Sequence, residues 1–246
     1  MAGEFELGLN LLADNPNLTF IAFITMVLLT VISVRFGYYA VANRRATGMA
    51  AQRVLWEYLA AVGVVATLYG FVGILEIVST VRATFKQGLM LAVVLLLALS
   101  IREIYYNAGL STDAEGRDRQ FGGRRAVELL FVGVVAAVIF GIAATGLHDG
   151  LLALQGVGGL AFAGYGFWFG RQQTTAAMVQ GTMIDSLLRH LLPVLAFAAL
   201  VPAVDLATVA GLPRVVVMHL QVVFAIMTAT ALMTATIKLR QNLASL

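Results

Sequence analysis

Residues 18–34 read LTFIAFITMVLLTVISV, seventeen residues without a charge, closed by Arg35 and an aromatic edge at Phe36, Tyr38 and Tyr39. A helix rises about 1.5 Å per residue, so a hydrocarbon layer about 30 Å thick needs roughly 20 apolar residues to cross. The stretch from Leu18 to Tyr39 meets that length. An amphipathic helix of a soluble protein would show a charged face within it. None is present, so lipid is the environment that this segment fits.

Working outward, the pattern recurs six times. Apolar runs occupy about Val54–Ser79, Thr84–Tyr106, Ala126–Gly146, Leu151–Gly170, Met183–Ala203 and Arg214–Ile237. The sequence thus predicts an all-α fold, a seven-transmembrane-helix bundle. Residues 1–17 form an N-terminal tail, 18–240 one transmembrane domain and 241–246 a C-terminal tail. Composition agrees. The 246 residues are 60% hydrophobic and 12% charged, with a mean hydropathy of +0.90, whereas a soluble domain carries about a quarter charged residues. So little charge cannot clothe a water-facing surface.

Several function classes fall away at this level. No cysteine is present, which excludes disulfides, thiolate metal sites and cysteine nucleophiles. The net charge of +3 follows from arginine in the loops of a multi-span protein and implies no nucleic-acid partner. Residues Met1 to Pro16 carry Glu4, Glu6 and Asp14 and no basic residue, unlike a secretory signal. They read as an acidic tail with an interfacial turn around Phe5 to Leu12. No HExxH, GxSxG, phosphate loop or paired-aspartate prenyl site occurs, so no enzymatic activity and no cofactor are expected.

Charge predicts an orientation. With the N-terminus outside, the inner loops and tail carry Arg44, Arg45, Arg53, Arg117, Arg119, Arg124, Arg125, Arg171, Lys238 and Arg240. The outer loops carry Arg82, Lys86 and Arg214. That bias places the C-terminus in the cytoplasm of a cell (plasma) membrane protein. Arg53-x-x-x-Glu57 before Gly63-Val-Val-Ala66 is echoed by Arg124-x-x-x-Glu128 before Gly133-Val-Val-Ala136. Each places a favourable i,i+4 pair at an inner helix entrance.

Ionisable groups near hydrocarbon must pair or reach the interface. At the inner ends these are Arg35, Glu57, Arg102, Glu103, Glu128, Asp185, Arg189 and His190. They read as a salt-bridge belt or a gate. The outer half holds Glu76, His148, Asp149, Asp205, His219 and Gln221, of which Glu76, His219 and Gln221 are expected to face an outer vestibule. Candidate ligand or gate positions are therefore Glu76, His219, Gln221, Arg102, Glu103 and Glu57. His190 and His219 lie toward opposite faces and cannot share a haem iron. The middle offers only Thr30, Thr67, Tyr69, Gln155, Tyr165, Thr228 and Thr230, with no ionisable relay of the kind pumps use. Pro193 predicts a kink in the sixth span. Gly156, Gly158, Gly159, Gly164, Gly166 and Gly170 make the fifth span glycine-rich, and Gly166-x-x-x-Gly170 predicts close helix packing or pairing with a membrane partner or second copy.

Several features resemble microbial rhodopsins. They are the seven spans with the N-terminus out, Arg82 followed by the leucine-rich Leu89 to Leu99, and the short turn before the fifth span. Phe167-Trp168-Phe169 and the stretch Phe224 to Arg240 add to it. The resemblance implies an opsin-like bundle. The retinal chemistry of that family does not carry over. Ala225 to Thr234, midway along the seventh span, contains no lysine, and Lys238 lies at its inner end. Phe85 and Leu96 stand where carboxylates would be, and the sixth span lacks an aromatic wall. The expected role is a sensory or signalling/interaction module. The alternatives are a transporter or channel for a small neutral or apolar solute, lined by Thr67, Tyr69, Gln155 and Thr228, or an accessory subunit of a membrane complex.

Overall fold

The computed structural model describes residues 8–47, 50–80, 83–107, 117–174 and 183–245; the side chains of residues 50–52, 107, 117–125, 173–174, 183–184 and 245 are not described. Within those residues the chain is helical, with no strand: α1 Pro16–Ala46, α2 Ala50–Val78, α3 Lys86–Asn107, α4 Arg117–Thr145, α5 Asp149–Thr174, α6 Met183–Ala203, the short α7 Asp205–Val209 and α8 Arg214–Ser245. Seven spans, with α6 and α7 together making the sixth, are long and apolar enough to cross a bilayer, and their mean hydropathy runs from 1.3 to 2.6. The chain is thus a multi-pass membrane protein by length and composition. We call the face where α1, α3, α5 and α8 begin the leading face, and the opposite one the trailing face.

Local chemistry sets the helix starts. The Asn15 side chain accepts from Leu18 N–H at 3.1 Å and Pro16 occupies the first turn, where its missing N–H costs nothing. Before it lies a 3₁₀ turn at Leu12–Asp14; of the interfacial turn expected around Phe5 to Leu12, residues 5–7 lie outside the described residues. Asn10 ties this segment to α2, its N–H donating to Ile77 O at 2.8 Å. Helices also run beyond the apolar cores. α1 continues past Tyr39 to Ala46, and α4 begins at Arg117, inside the stretch expected to be a polar loop and despite Gly122-Gly123. Asp113, Glu115 and Arg82 fall outside the described residues.

The helices do not form a simple sequential ring. α1 packs on α2 and α8, α8 on α6, and α6 on α5, while α3 packs on α2, α5 and α6. α3 is the central helix: 78% of its apolar window is buried, against 17% for α4, which lies outside in the angle of α3 and α5. Leu91, Val94, Leu97 and Ala98 of α3 are fully buried and join Leu188, Leu191, Leu195 and Ala198 of α6 in one core.

Two close approaches explain why small residues sit where they do. A Cβ on Gly63 would lie 2.5 Å from the Gly37 Cα, so α1 and α2 touch backbone to backbone. Gly166 meets Leu195 of α6 and the Ala98 backbone of α3, while Gly170 meets Leu192. The Gly166–Gly170 pair is therefore spent on packing within the chain, and among the α5 glycines only Gly164 has open space around it. In the sixth span α6 covers Met183–Ala203 with Pro193 inside it, and an interruption falls at Val204, two residues past Pro202. What reads as the loop Val204 to Pro213 contains the helical turn α7.

Candidate functional site

The break in the sixth span places Asp205 inside the bundle rather than in a loop. Its residue is 4% exposed. Gln155, one and a half turns into α5, donates from Nε2 to Asp205 Oδ2 at 3.0 Å. Gln221 of α8 donates from Nε2 to Asp205 Oδ1 at 2.8 Å, and the same nitrogen approaches the Val201 carbonyl of α6 at 3.4 Å. Three helices and the short turn α7 thus converge on one carboxylate. Gln155 is 2% exposed, and its Oε1 has no hydrogen-bond partner. Tyr69, buried on α2, lies within electrostatic range of both Asp205 and Glu76. Asp205 takes part in no ion pair among the described residues.

A second polar group closes the α2–α3 turn on the same face. Glu76 pairs with Lys86 and accepts from the Ala83 N–H at 3.1 Å. Of the three residues expected at an outer vestibule, Gln221 joins Asp205 and Glu76 belongs to this turn. His219 joins neither group. Its side chain is exposed on the outside of α8 and its Nδ1 donates to the Val215 carbonyl at 2.7 Å, satisfying its own helix. It sits two positions from Gln221, which turns it about 200° around the helix. Gln155, read as a mid-membrane residue, proves to be part of the leading-face cluster.

The trailing face carries the third group. Arg102 has no exposed surface, and its Nη2 serves both Glu103, at 3.0 Å, and Glu128 of α4. Its Nε and Nη1 have no acceptor in hydrogen-bond geometry, although Tyr165 adjoins the guanidinium. Tyr165 belongs to a chain of tilted and edge-to-face ring contacts: Phe131 meets Phe162 and Tyr165, Tyr165 meets Phe169, and Phe169 meets Tyr105 and Tyr106, with centroids 4.6–5.8 Å apart. Phe162, Tyr165 and Phe169 follow i, i+3, i+7 and share one face of α5. Glu57 stands apart from this group. It takes Arg44 at 2.8 Å and Arg53 at 3.2 Å on a half-exposed surface. Asp185 and Arg189 close an i,i+4 pair at the start of α6.

Comparison of the chain with known protein families, with curated proteins and with solved structures finds no match. The site rests on its own geometry.

Sequence reasoning missed Asp205 and Gln155 as partners. The signal was present: an aspartate three residues after Pro202, and glutamines inside two other spans. A buried amide in hydrocarbon must find a partner. What concealed it was the proline-bounded segment around Asp205, which reads as a loop. No group of three or more His, Cys, Asp or Glu that could hold a metal ion occurs among the described residues.

Proposed function

We propose that this protein is a non-enzymatic sensory or signalling module with opsin-like topology and no covalent retinal. It works within a cell membrane beside another membrane protein or a second copy of itself. The observation that carries the reading is the arrangement of polarity along α3. Its first residue, Lys86, pairs with Glu76 at the leading face, and Arg102, near its other end, pairs with Glu103 and Glu128 at the trailing face. Between them lies packed hydrocarbon: Leu91, Val94, Leu97 and Ala98 are buried. A rigid, buried helix with charged groups at both ends suits transmission of a small displacement. The positive-inside rule puts the trailing face, with Arg44, Arg45, Arg53 and Lys238, in the cytoplasm.

The solute-carrier reading draws less support. The Thr67 and Thr228 hydroxyls donate to their own helix carbonyls at 2.7 Å, and Tyr69, Gln155 and Thr228 are buried. The retinal-free reading rests on α8, whose inward mid-length positions are Ala225, Thr228, Ala229 and Leu232. The partner surface in this reading is the outer side of α4 and α5, where Leu129, Phe140 and Trp168 are each more than 60% exposed.

Photo-crosslinking from Phe140 and Trp168 positions in native membranes tests it. A discrete crosslinked protein species is expected. Absence of any species, together with solute flux through liposomes holding the pure protein, would overturn the reading in favour of the carrier.

A further inference from the structure

The Asp205 cluster has a chemistry that neither signalling nor packing uses. A carboxylate offers about four acceptor positions, and the two glutamine amides fill one on each oxygen. Both donors are neutral. No basic side chain pairs with Asp205 among the described residues, and its charge is held 96% buried within a membrane span. Charges in that setting are compensated by a partner or a bound ion, or are neutralised by protonation.

Apart from Arg214, which lies within electrostatic range, the surroundings of Asp205 add oxygen. Gln155 is 98% buried with its Oε1 unpartnered, on the amide whose nitrogen already holds Asp205. The Val201 carbonyl lies at the break between α6 and α7 and is reached through the same Gln221 nitrogen. After the break the backbone ladder resumes with Ala207 N–H on the Val204 carbonyl at 3.0 Å. A carboxylate, an amide oxygen and a main-chain carbonyl at an interrupted membrane helix form a donor set for a hard monovalent cation. The charged and titratable groups around it are Tyr69 from α2, within range of Glu76 as well, and Arg214 from the start of α8. α5 and α6 contribute only Gln155 and Val201 to the contact.

We propose that Asp205, Gln155 Oε1 and the Val201 carbonyl bind one sodium ion between α5, α6 and α8. The inference goes beyond the signalling reading and holds equally for a protein that carries a solute. Occupancy would couple the broken sixth span to α5 and α8, because the ion's ligands come from both sides of the break.

The test uses the full chain in lipid nanodiscs. Thermal unfolding is followed in sodium chloride and in choline chloride between pH 5 and 8.5. Infrared difference spectra follow the protonated-carboxyl band over the same range. Sodium binding predicts a saturable rise in Tm of about 5 °C at high occupancy, with proton release on sodium addition. A carboxyl band that titrates with no sodium effect means protonation of Asp205 alone and overturns the site. The sodium effect must vanish in Asp205→Asn. Gln155→Met, which keeps size and removes both Oε1 and the Nε2 donor, must weaken sodium binding at least tenfold, and it serves if Asp205→Asn fails to fold. Absence of the sodium effect in the native protein, or its survival in both variants, overturns the proposal.

Discussion

Arg102 holds its charge out of water entirely, facing Glu103 and Glu128 at one nitrogen. Removing one partner of a buried ion pair strands the other, at a cost of about 3–5 kcal/mol. Arg102→Leu should therefore destabilise the bundle by that amount in reversible unfolding. Glu57→Gln breaks two pairs with half-exposed partners and should change stability by less than about 1 kcal/mol. Equal losses in the two variants would contradict the distinction drawn between a buried and a surface network. Arg102 and Glu103 were legible in the sequence because the third span reaches full length only by including them. Glu128 was legible as an i,i+4 partner of Arg124, and its tie to Arg102 from another helix was not, since periodicity within one segment says nothing of its neighbours. Asp205 stayed hidden for a different reason, the proline-bounded segment that reads as a loop. At the same scale, the chain's only lysines are Lys86 and Lys238, and α8 carries alanines at its inward mid-length positions. Purified protein incubated with retinal should show no visible band that survives acid denaturation, and a surviving band would restore the photochemical reading.

Helix-to-helix spacing follows from residues without side chains. The α1–α2 contact closes on Gly37 and Gly63, where an added methyl on Gly63 would meet Gly37 backbone at 2.5 and 2.6 Å. Backbone cannot swing aside as a side chain can, so Gly63→Ala should lower stability by about 1–3 kcal/mol. Gly133 on α4 has nothing within 4 Å, and Gly133→Ala should raise stability by up to about 1 kcal/mol through helix propensity alone. Unfolding of both variants in one detergent measures the difference, and matching losses would refute the packing described. Gly63 and Gly133 occupy equivalent places in the sequence echo of the second and fourth spans, yet one is enclosed and the other open. The echo extends to charge: Glu57 takes Arg44 from α1, as Glu128 takes Arg102 from α3. The sequence thus exposes the recurrence of a boundary motif but not the different burial of its two helices, which depends on α4 lying outside the central group.

For the molecule as a whole, the apolar runs alone were enough to place all seven spans, because hydrocarbon thickness imposes a length that few other constraints imitate. What they left open was the order of packing. In lipid, every helix is apolar all round, so no amphipathic stripe announces that α3 is central and α4 peripheral. The proposed orientation comes from arginine distribution, a different kind of signal. The absence of native cysteine makes crossings and orientation directly measurable by single cysteines labelled with a membrane-impermeant maleimide in sealed vesicles. Cysteines replacing Leu11, Thr84, His148 and Leu212 should all label from one side, and those replacing Thr47, Arg171 and Ala244 only from the other, the second group from the cytoplasm. Labelling of Leu11 and Ala244 positions from the same side, or of all seven from one side, would contradict the seven-span account.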